Sequence, residues 1–349
     1  MTRDKQYPNI ILIMSEEIDN PSLNNFKNLV LSGGGLLGIS YIGLLKYLEE
    51  YNLMSQIKTI TGSSAGAIFG TFFAIGYTSS ELESQVKGII FKDYVKINAE
   101  SLLNFPRNKG FESGNLLMKY IKDLIANKTN NPDITFSQLY QKYQINLQIG
   151  TTNLTHYRFE IFNHINTPDI SVSQAIRASI AIPFVFEPII INGNLYCDGG
   201  LIENLPIEYI QTGGKSNTNN PDIIQSDKLD QPDKPDKPDQ PDQPDQPTLE
   251  TLGVYLLNNT MPLDESNYQT ATISHYFSSI MRVLSITYYN RKKVKELEGK
   301  NQNKIILIEI PCDIMTFLKI NASRNDLENI INIAYETCKK EFNHRSSDI

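Results

Sequence analysis

Asn28–Gly38, NLVLSGGGLLG, and Ile57–Gly66, IKTITGSSAG, carry the pattern that decides the fold. In each, a short apolar run meets a glycine-framed turn, and a helix-like apolar segment follows, Ile39–Glu50 in the first case and Ala65–Ile75 in the second. Both therefore read as strand–turn–helix junctions of one α/β sheet. Gly62-Ser63-Ser64-Ala65-Gly66 has the spacing G-x-S-x-G with Ser64 at its centre. Small flanking residues permit a sharp turn that lifts a serine oxygen above the sheet, and Gly62 and Gly66 let strand and helix pass closely. The helix opening at Ala65 aims its first amides and its partial positive charge at the same place. In Gly33-Gly34-Gly35-Leu36-Leu37-Gly38, three consecutive glycines bring backbone donors close without a Cβ in the way, as an oxyanion requires. Together the two turns point to acyl transfer.

Two other readings of the glycine run have to be weighed. Gly33, Gly35 and Gly38 satisfy G-x-G-x-x-G after a strand and before a helix, the pattern of a dinucleotide site. Such a site needs a carboxylate at the end of the next strand to hold a ribose hydroxyl, and that strand ends here in Thr61-Gly62-Ser63-Ser64. A Walker-type phosphate loop fails too, since no Gly-Lys-Ser/Thr follows.

Beyond the two turns the α/β alternation continues. Strand-like runs stand at Ile145–Gly150, Tyr157–Phe162, Pro188–Ile191 and Leu195–Cys197, with Asn192-Gly193 as a tight turn between the last two. Capping-box spacings at Ser80/Glu83 and Ser171/Gln174 predict helix starts. Further strands are expected at Leu252–Leu257 and Lys304–Ile310, a helix-like region at Ser274–Lys293, and an amphipathic helix at Asn325–Phe342. The aromatic segment Ile89–Phe111, with Phe91, Tyr94, Phe105 and Phe111, reads as ordinary core, which is favoured, or as a mobile cover or lipid-facing rim. Residues 1–27 form an Asn-rich extension and residues 28–212 the catalytic core. Residues 213–248 repeat Asp-Gln-Pro and Asp-Lys-Pro with little apolar surface to offset ordering, and are expected to be a disordered insertion in a surface loop. Residues 249–349 then complete the sheet and its helices.

At 349 residues with 40% hydrophobic composition, the chain can bury a large core. Its net charge of -7 is mostly local, because Pro221–Pro247 holds eight Asp and three Lys. The remaining body is near neutral, which gives no electrostatic case for nucleic acid and no broad basic face for anionic lipid. Three dispersed cysteines, Cys197, Cys312 and Cys338, form no zinc spacing and suit a reducing compartment. The apolar run Ile10–Met14 is too short for a signal-peptide core, and the uncharged stretch Thr59–Ser80 is broken by Gly and Ser. The expectation is an intracellular protein, soluble or peripherally membrane-associated, without signal peptide or transmembrane helix.

The base for Ser64 has two kinds of candidate. His156, His164, His275 and His344 are the histidines, and none sits in a diagnostic loop. Asp198 follows the strand Leu195–Cys197 and precedes Gly199 and Gly200, a turn that presents a carboxylate at a strand end.

Gly-Gly-Gly-x-x-Gly, then G-x-S-x-G, then Asp-Gly-Gly, in this order over about Asn28–Ile210, resembles the patatin-like phospholipase family. The run Ser179-Ile180-Ala181-Ile182-Pro183-Phe184 resembles the family's Ser-x-x-x-Pro segment at its usual place before the aspartate. The resemblance implies a three-layer α/β/α fold with a central, mostly parallel sheet. It further implies a histidine-free dyad of Ser64 as nucleophile and Asp198 as base, acting without metal or cofactor. The oxyanion hole would be Gly33, Gly34 and Gly35 with Ala65, framed by the motif glycines Gly38, Gly62, Gly66, Gly199 and Gly200. A phospholipid or other acyl lipid would be the substrate, met through peripheral contact with a membrane surface. Leu37 departs from the family's frequent Arg or Lys, and the acidic insertion is foreign to the family pattern. Two rival readings stay open: an inactive patatin-fold binding or scaffold protein using the insertion as a docking tail, and a general esterase with His275 as base.

Overall fold

The computed structural model describes residues 26–86, 99–210, 250–258, 305–312 and 324–347. The helix-like region at Ser274–Lys293, the insertion 213–248, and residues Phe91, Tyr94 and His275 lie outside the described residues.

Among the described residues one sheet of eight strands dominates. Its strands are β1 (Phe26–Leu31), β2 (Thr59–Ser63), β4 (Asn146–Asn153), β5 (Arg158–Phe162), β7 (Ile189–Ile191), β8 (Asn194–Asp198), β9 (Glu250–Asn258) and β10 (Ile305–Cys312). The order is β10-β9-β1-β2-β4-β8-β7, with β5 also on β4. From β10 to β4 all neighbours are parallel, and β5, β7 and β8 join antiparallel. The architecture is therefore α/β with a mostly parallel central sheet. β1 is nearly all buried, as expected of a parallel strand covered on both faces. Leu29 and Leu31 enter the main core, while Val30, pointing the other way, packs with Leu205 and Ile207.

The helices follow the sequence closely. A short 3-10 turn, Gly35–Ser40, leads into α1 (Tyr41–Glu50), and α2 (Ala65–Ala74) follows β2 with nine of its residues buried. α3 (Ser79–Val86) begins two residues earlier than the Ser80/Glu83 spacing predicts. Thr78 is the capping residue: its amide and hydroxyl donate to Glu81 Oε2, and its Oγ1 accepts the Glu81 amide. Gly76, at φ +80°, has already turned the chain out of α2, so the first hydroxyl available after it takes the cap. Next come α4 (Ala99–Asn108), a short strand β3 (Gly110–Glu112), α5 (Asn115–Thr129) and α6 (Phe136–Tyr143). α6 opens on a capping box of Thr135 and Gln138. Ser171 caps α7 (Val172–Ser179) by accepting the Gln174 amide. β6 (Phe184–Phe186) pairs with β3 in a separate two-stranded ribbon. Asn192 and Gly193, both at positive φ, close the β7–β8 hairpin. The last helix, α8 (Arg324–Ser347), packs against α1, with Phe342 stacked on Tyr47 at 4.9 Å.

The described part of the aromatic segment departs from the favoured core assignment. α4 buries none of its residues, and Leu103 is 81% exposed.

β4 brings the candidate site residues together. Asn146–Gly150 pair with β2 along one edge, and β5 occupies the other edge from Ile149 onward. Thr151–Asn153 pair with β8, which therefore continues the edge that β2 has left. β2 and β8 run toward each other and end on consecutive β4 residues, Ser63 opposite Gly150 and Asp198 opposite Thr151.

Candidate active site

Ser64 stands alone between the end of β2 and the start of α2, with φ 52° and ψ -120°. That conformation costs a non-glycine residue on the order of 1–3 kcal/mol and persists only where its surroundings enforce it. Close packing enforces it here. A Cβ on Gly66 would lie 2.2 Å from the Leu31 carbonyl oxygen, and one on Gly62 would lie 2.3 Å from that of Gly66. The Ser64 amide donates to Ser179 Oγ at 2.8 Å, and Ser179 Oγ donates to the Gly150 carbonyl at 2.6 Å. The sequence pattern marks Ser179 without giving it a role; its partners are backbone atoms from distant segments.

Asp198 is held at every backbone atom that can bond. Its amide donates to the Ala181 carbonyl at 2.9 Å, and its carbonyl accepts from Thr152 Oγ1 at 2.9 Å. The carboxylate is shared between two donors: Oδ1 accepts the Gly200 amide and Oδ2 accepts Ser64 Oγ, each at 2.7 Å. Ser64 and Asp198, 134 residues apart in the chain, are thus brought into direct contact, and each is about 95% buried. Burial pushes the Asp198 carboxyl up to about 7, against the opposing pull of the hydrogen bonds from Ser64 and Gly200.

The glycine run lies against this pair. A Cβ on Gly33 would come within 3.0 Å of Ser64 Cβ, and one on Gly38 within 2.8 Å of Ala65 Cβ. Gly33 differs from the expectation that it would offer a free donor. Its amide donates to the Asn204 carbonyl at 3.0 Å, while Asn204 Nδ2 donates to the Gly33 carbonyl at 3.4 Å. Gly33 is therefore an anchor of the turn. Ser63 Oγ donates to the Glu203 carbonyl at 3.0 Å, so the segment after Asp198 ties both glycine turns together. Asn204 and Glu203 were missed from sequence because their backbone carbonyls do the work. Leu37, at the position where the resemblance leads one to expect a cation, is buried in the core.

The two histidines whose surroundings are described engage elsewhere, while His275 and the His344 side chain lie outside the described residues. His164 stacks on Tyr140 at 3.7 Å with its Nδ1 3.0 Å from Asn146 Oδ1, and His156 lies in the β4–β5 turn with its amide on Asn153 Oδ1. Among the described residues no helix is long and apolar enough to cross a membrane.

An uncharacterized protein of Acanthamoeba polyphaga mimivirus is 28% identical over 322 residues, covering 92% of this chain and 95% of that one. The protein named "Probable lipid hydrolase 463L" of Invertebrate iridescent virus 6 is 32% identical over 203 residues, 57% of this chain and 68% of its own. Among solved structures, VipD from Legionella pneumophila superposes with a TM-score of 0.50 at 19% identity, over 92% of this chain and 67% of that one, which bears on the fold alone. The model of the patatin-like phospholipase family matches residues 29–210, the span that holds both glycine turns and the Ser64–Asp198 contact, and the chain belongs to that family.

Proposed function

We propose that the protein is a lipid acyl hydrolase of phospholipase A type, cleaving fatty-acyl esters through Ser64 and Asp198. The observation that carries the proposal is the 2.7 Å hydrogen bond from Ser64 Oγ to Asp198 Oδ2 at the end of a strained strand–helix turn. Asp198 Oδ2 takes the hydroxyl proton as Ser64 Oγ attacks the acyl carbonyl. A carboxyl held near 7 is matched to that task, since about half of it is ionised at neutral pH and it is basic enough to accept the proton. The tetrahedral oxyanion is received by the amides of Gly34, Gly35 and Ala65, each such donor being worth about 2.7–4 kcal/mol. Ala65 is the first residue of α2, so its amide has no acceptor within the helix. Collapse expels the alcohol, which carries away the proton from Asp198. Water, deprotonated by the same carboxylate, then attacks the acyl-serine, and Asp198 returns that proton to Ser64 Oγ as the fatty acid departs. A lipid as the acyl donor is supported by the family and by the relative named a lipid hydrolase.

The test is labelling with a fluorophosphonate and mass spectrometry of the adduct, on the native chain and on Asp198→Ala. The expected result is an adduct on Ser64 that disappears in the folded variant. An unlabelled, folded native chain would overturn the proposal in favour of an inactive binding protein.

A further inference from the structure

α4 is amphipathic in the wrong sense for a helix that only packs on a protein. Ala99, Leu102, Leu103 and Pro106 fall at i, i+3, i+4 and i+7, one continuous stripe, and all four are exposed. Leu102 is 57% exposed and Leu103 81%. The opposite side turns inward: Phe105 stacks on Phe111 at 4.6 Å and approaches Phe184 at 6.2 Å, and Asn108 Nδ2 donates to Glu187 Oε1 at 2.7 Å. The helix is thus docked by its more polar side, with its leucines facing outward. Phe184, which meets α4 through Phe105, is itself 53% exposed and held at φ +70°, a conformation that strains an aromatic residue. At the C-terminal end of α4, Arg107 and Lys109 are exposed, and Glu100 is the exposed acid at the other end.

The patch is also close to the chemistry. Ala181, whose carbonyl accepts the Asp198 amide, is three residues before Phe184, a span of at most about 11 Å of chain.

We infer that the outward face of α4, with Phe184, is the surface by which the protein seats itself on a lipid bilayer beside its active site. This rests on the lipid acyl hydrolase assignment above. An apolar stripe with aromatic residues and flanking cations is the composition that lies in a membrane interface, with the leucines at the acyl boundary and Arg107 and Lys109 at anionic headgroups. The nearly neutral body elsewhere leaves little long-range attraction to compete with that local arrangement.

The experiment uses Leu102→Asp/Leu103→Asp in the full chain, a pair exposed enough to leave the fold intact. Flotation with vesicles of phosphatidylcholine and phosphatidylglycerol is measured in a Ser64→Ala background, so that no hydrolysis intervenes. Turnover of p-nitrophenyl butyrate in free solution is measured with Ser64 present. The expected result is at least a tenfold loss of vesicle partitioning and of vesicle-phospholipid turnover, with soluble-ester kcat/KM unchanged within twofold. Equal flotation of parent and double variant overturns the lipid surface while leaving the hydrolase assignment standing. A parent that floats but turns over neither ester overturns the hydrolase and keeps the surface. If the substitutions instead convert a dimer to a monomer without affecting flotation, the face is a protein interface and the inference falls.

Discussion

Ser179 Oγ accepts the Ser64 amide at 2.8 Å and donates to the Gly150 carbonyl at 2.6 Å, so one buried hydroxyl joins the Ser64 turn to β4. Ser179→Ala strands a donor and an acceptor, each worth about 1–3 kcal/mol when left unpaired in the interior. The expected outcome is a loss of about 2–4 kcal/mol in urea unfolding. The protein that remains folded should also label with fluorophosphonate at least about tenfold more slowly, because the turn no longer fixes Ser64.

The acid strength of Asp198 should set the pH dependence of the reaction. Only the ionised carboxylate can take the Ser64 proton, so kcat/KM for a soluble ester should rise about tenfold per pH unit below 7 and level off above it. A flat profile from pH 5 to 8 would remove Asp198 from the base role.

Stability should show the opposite trend. The folded chain holds a proton on Asp198 up to about 7, whereas an unfolded aspartate releases it near 3.8. Between those values the native state binds more protons, so this group's contribution falls as pH rises from about 4 to 7 and stays low above. Asp198→Asn removes the buried charge. Its Tm should match the parent's below about pH 4 and exceed it above pH 7. The gain in stability should be a few kcal/mol, at about 1.4 kcal/mol for each pH unit that separates folded from unfolded titration. Turnover in the same variant should drop by about 10⁴-fold.

The two kinds of glycine in the turns should separate cleanly. Gly66→Ala forces a methyl to 2.2 Å from the Leu31 carbonyl, so β1 and α2 must part; we expect a loss above about 3 kcal/mol, read as a collapse in soluble yield or Tm. Gly35→Ala meets no atom within 4 Å and pays only for a positive φ, about 1–2 kcal/mol, which differential scanning calorimetry resolves.

Much of this molecule is legible in its sequence for physical reasons. Buried parallel strands must be apolar runs, so Asn28–Ser32, Ile57–Thr61 and Leu252–Leu257 locate β1, β2 and β9 to within a few residues. Ser64 and Asp198 stand out because tight turns restrict which residues can flank them. What escapes is long-range and backbone-borne. Nothing local marks Ser179 as the acceptor for Ser64, or Asn204 as the residue whose carbonyl takes the Gly33 amide. Thr78 and Ser80 present overlapping S/T-x-x-E spacings, and the preceding Gly76 turn decides between them. For α4 the periodicity was readable, but a helical stripe of leucines carries no indication of whether protein or solvent covers it.

The pairing of β9 with β1 also imposes an order on biosynthesis. Ser32 donates its amide to the Val254 carbonyl and accepts the Leu256 amide on its Oγ, and the Leu256 side chain fills the space where a Cβ on Gly34 would go. The glycine turn is therefore shaped by residues translated more than fifty positions after Asp198. A nascent chain that has emerged only to residue 210 holds Ser64 and Asp198 but lacks the wall against which the glycine turn is set. Synthesis of β9 thereby acts as a timer on the proposed ester-cleaving centre, whose glycine turn stays unshaped until Val254 and Leu256 have been translated.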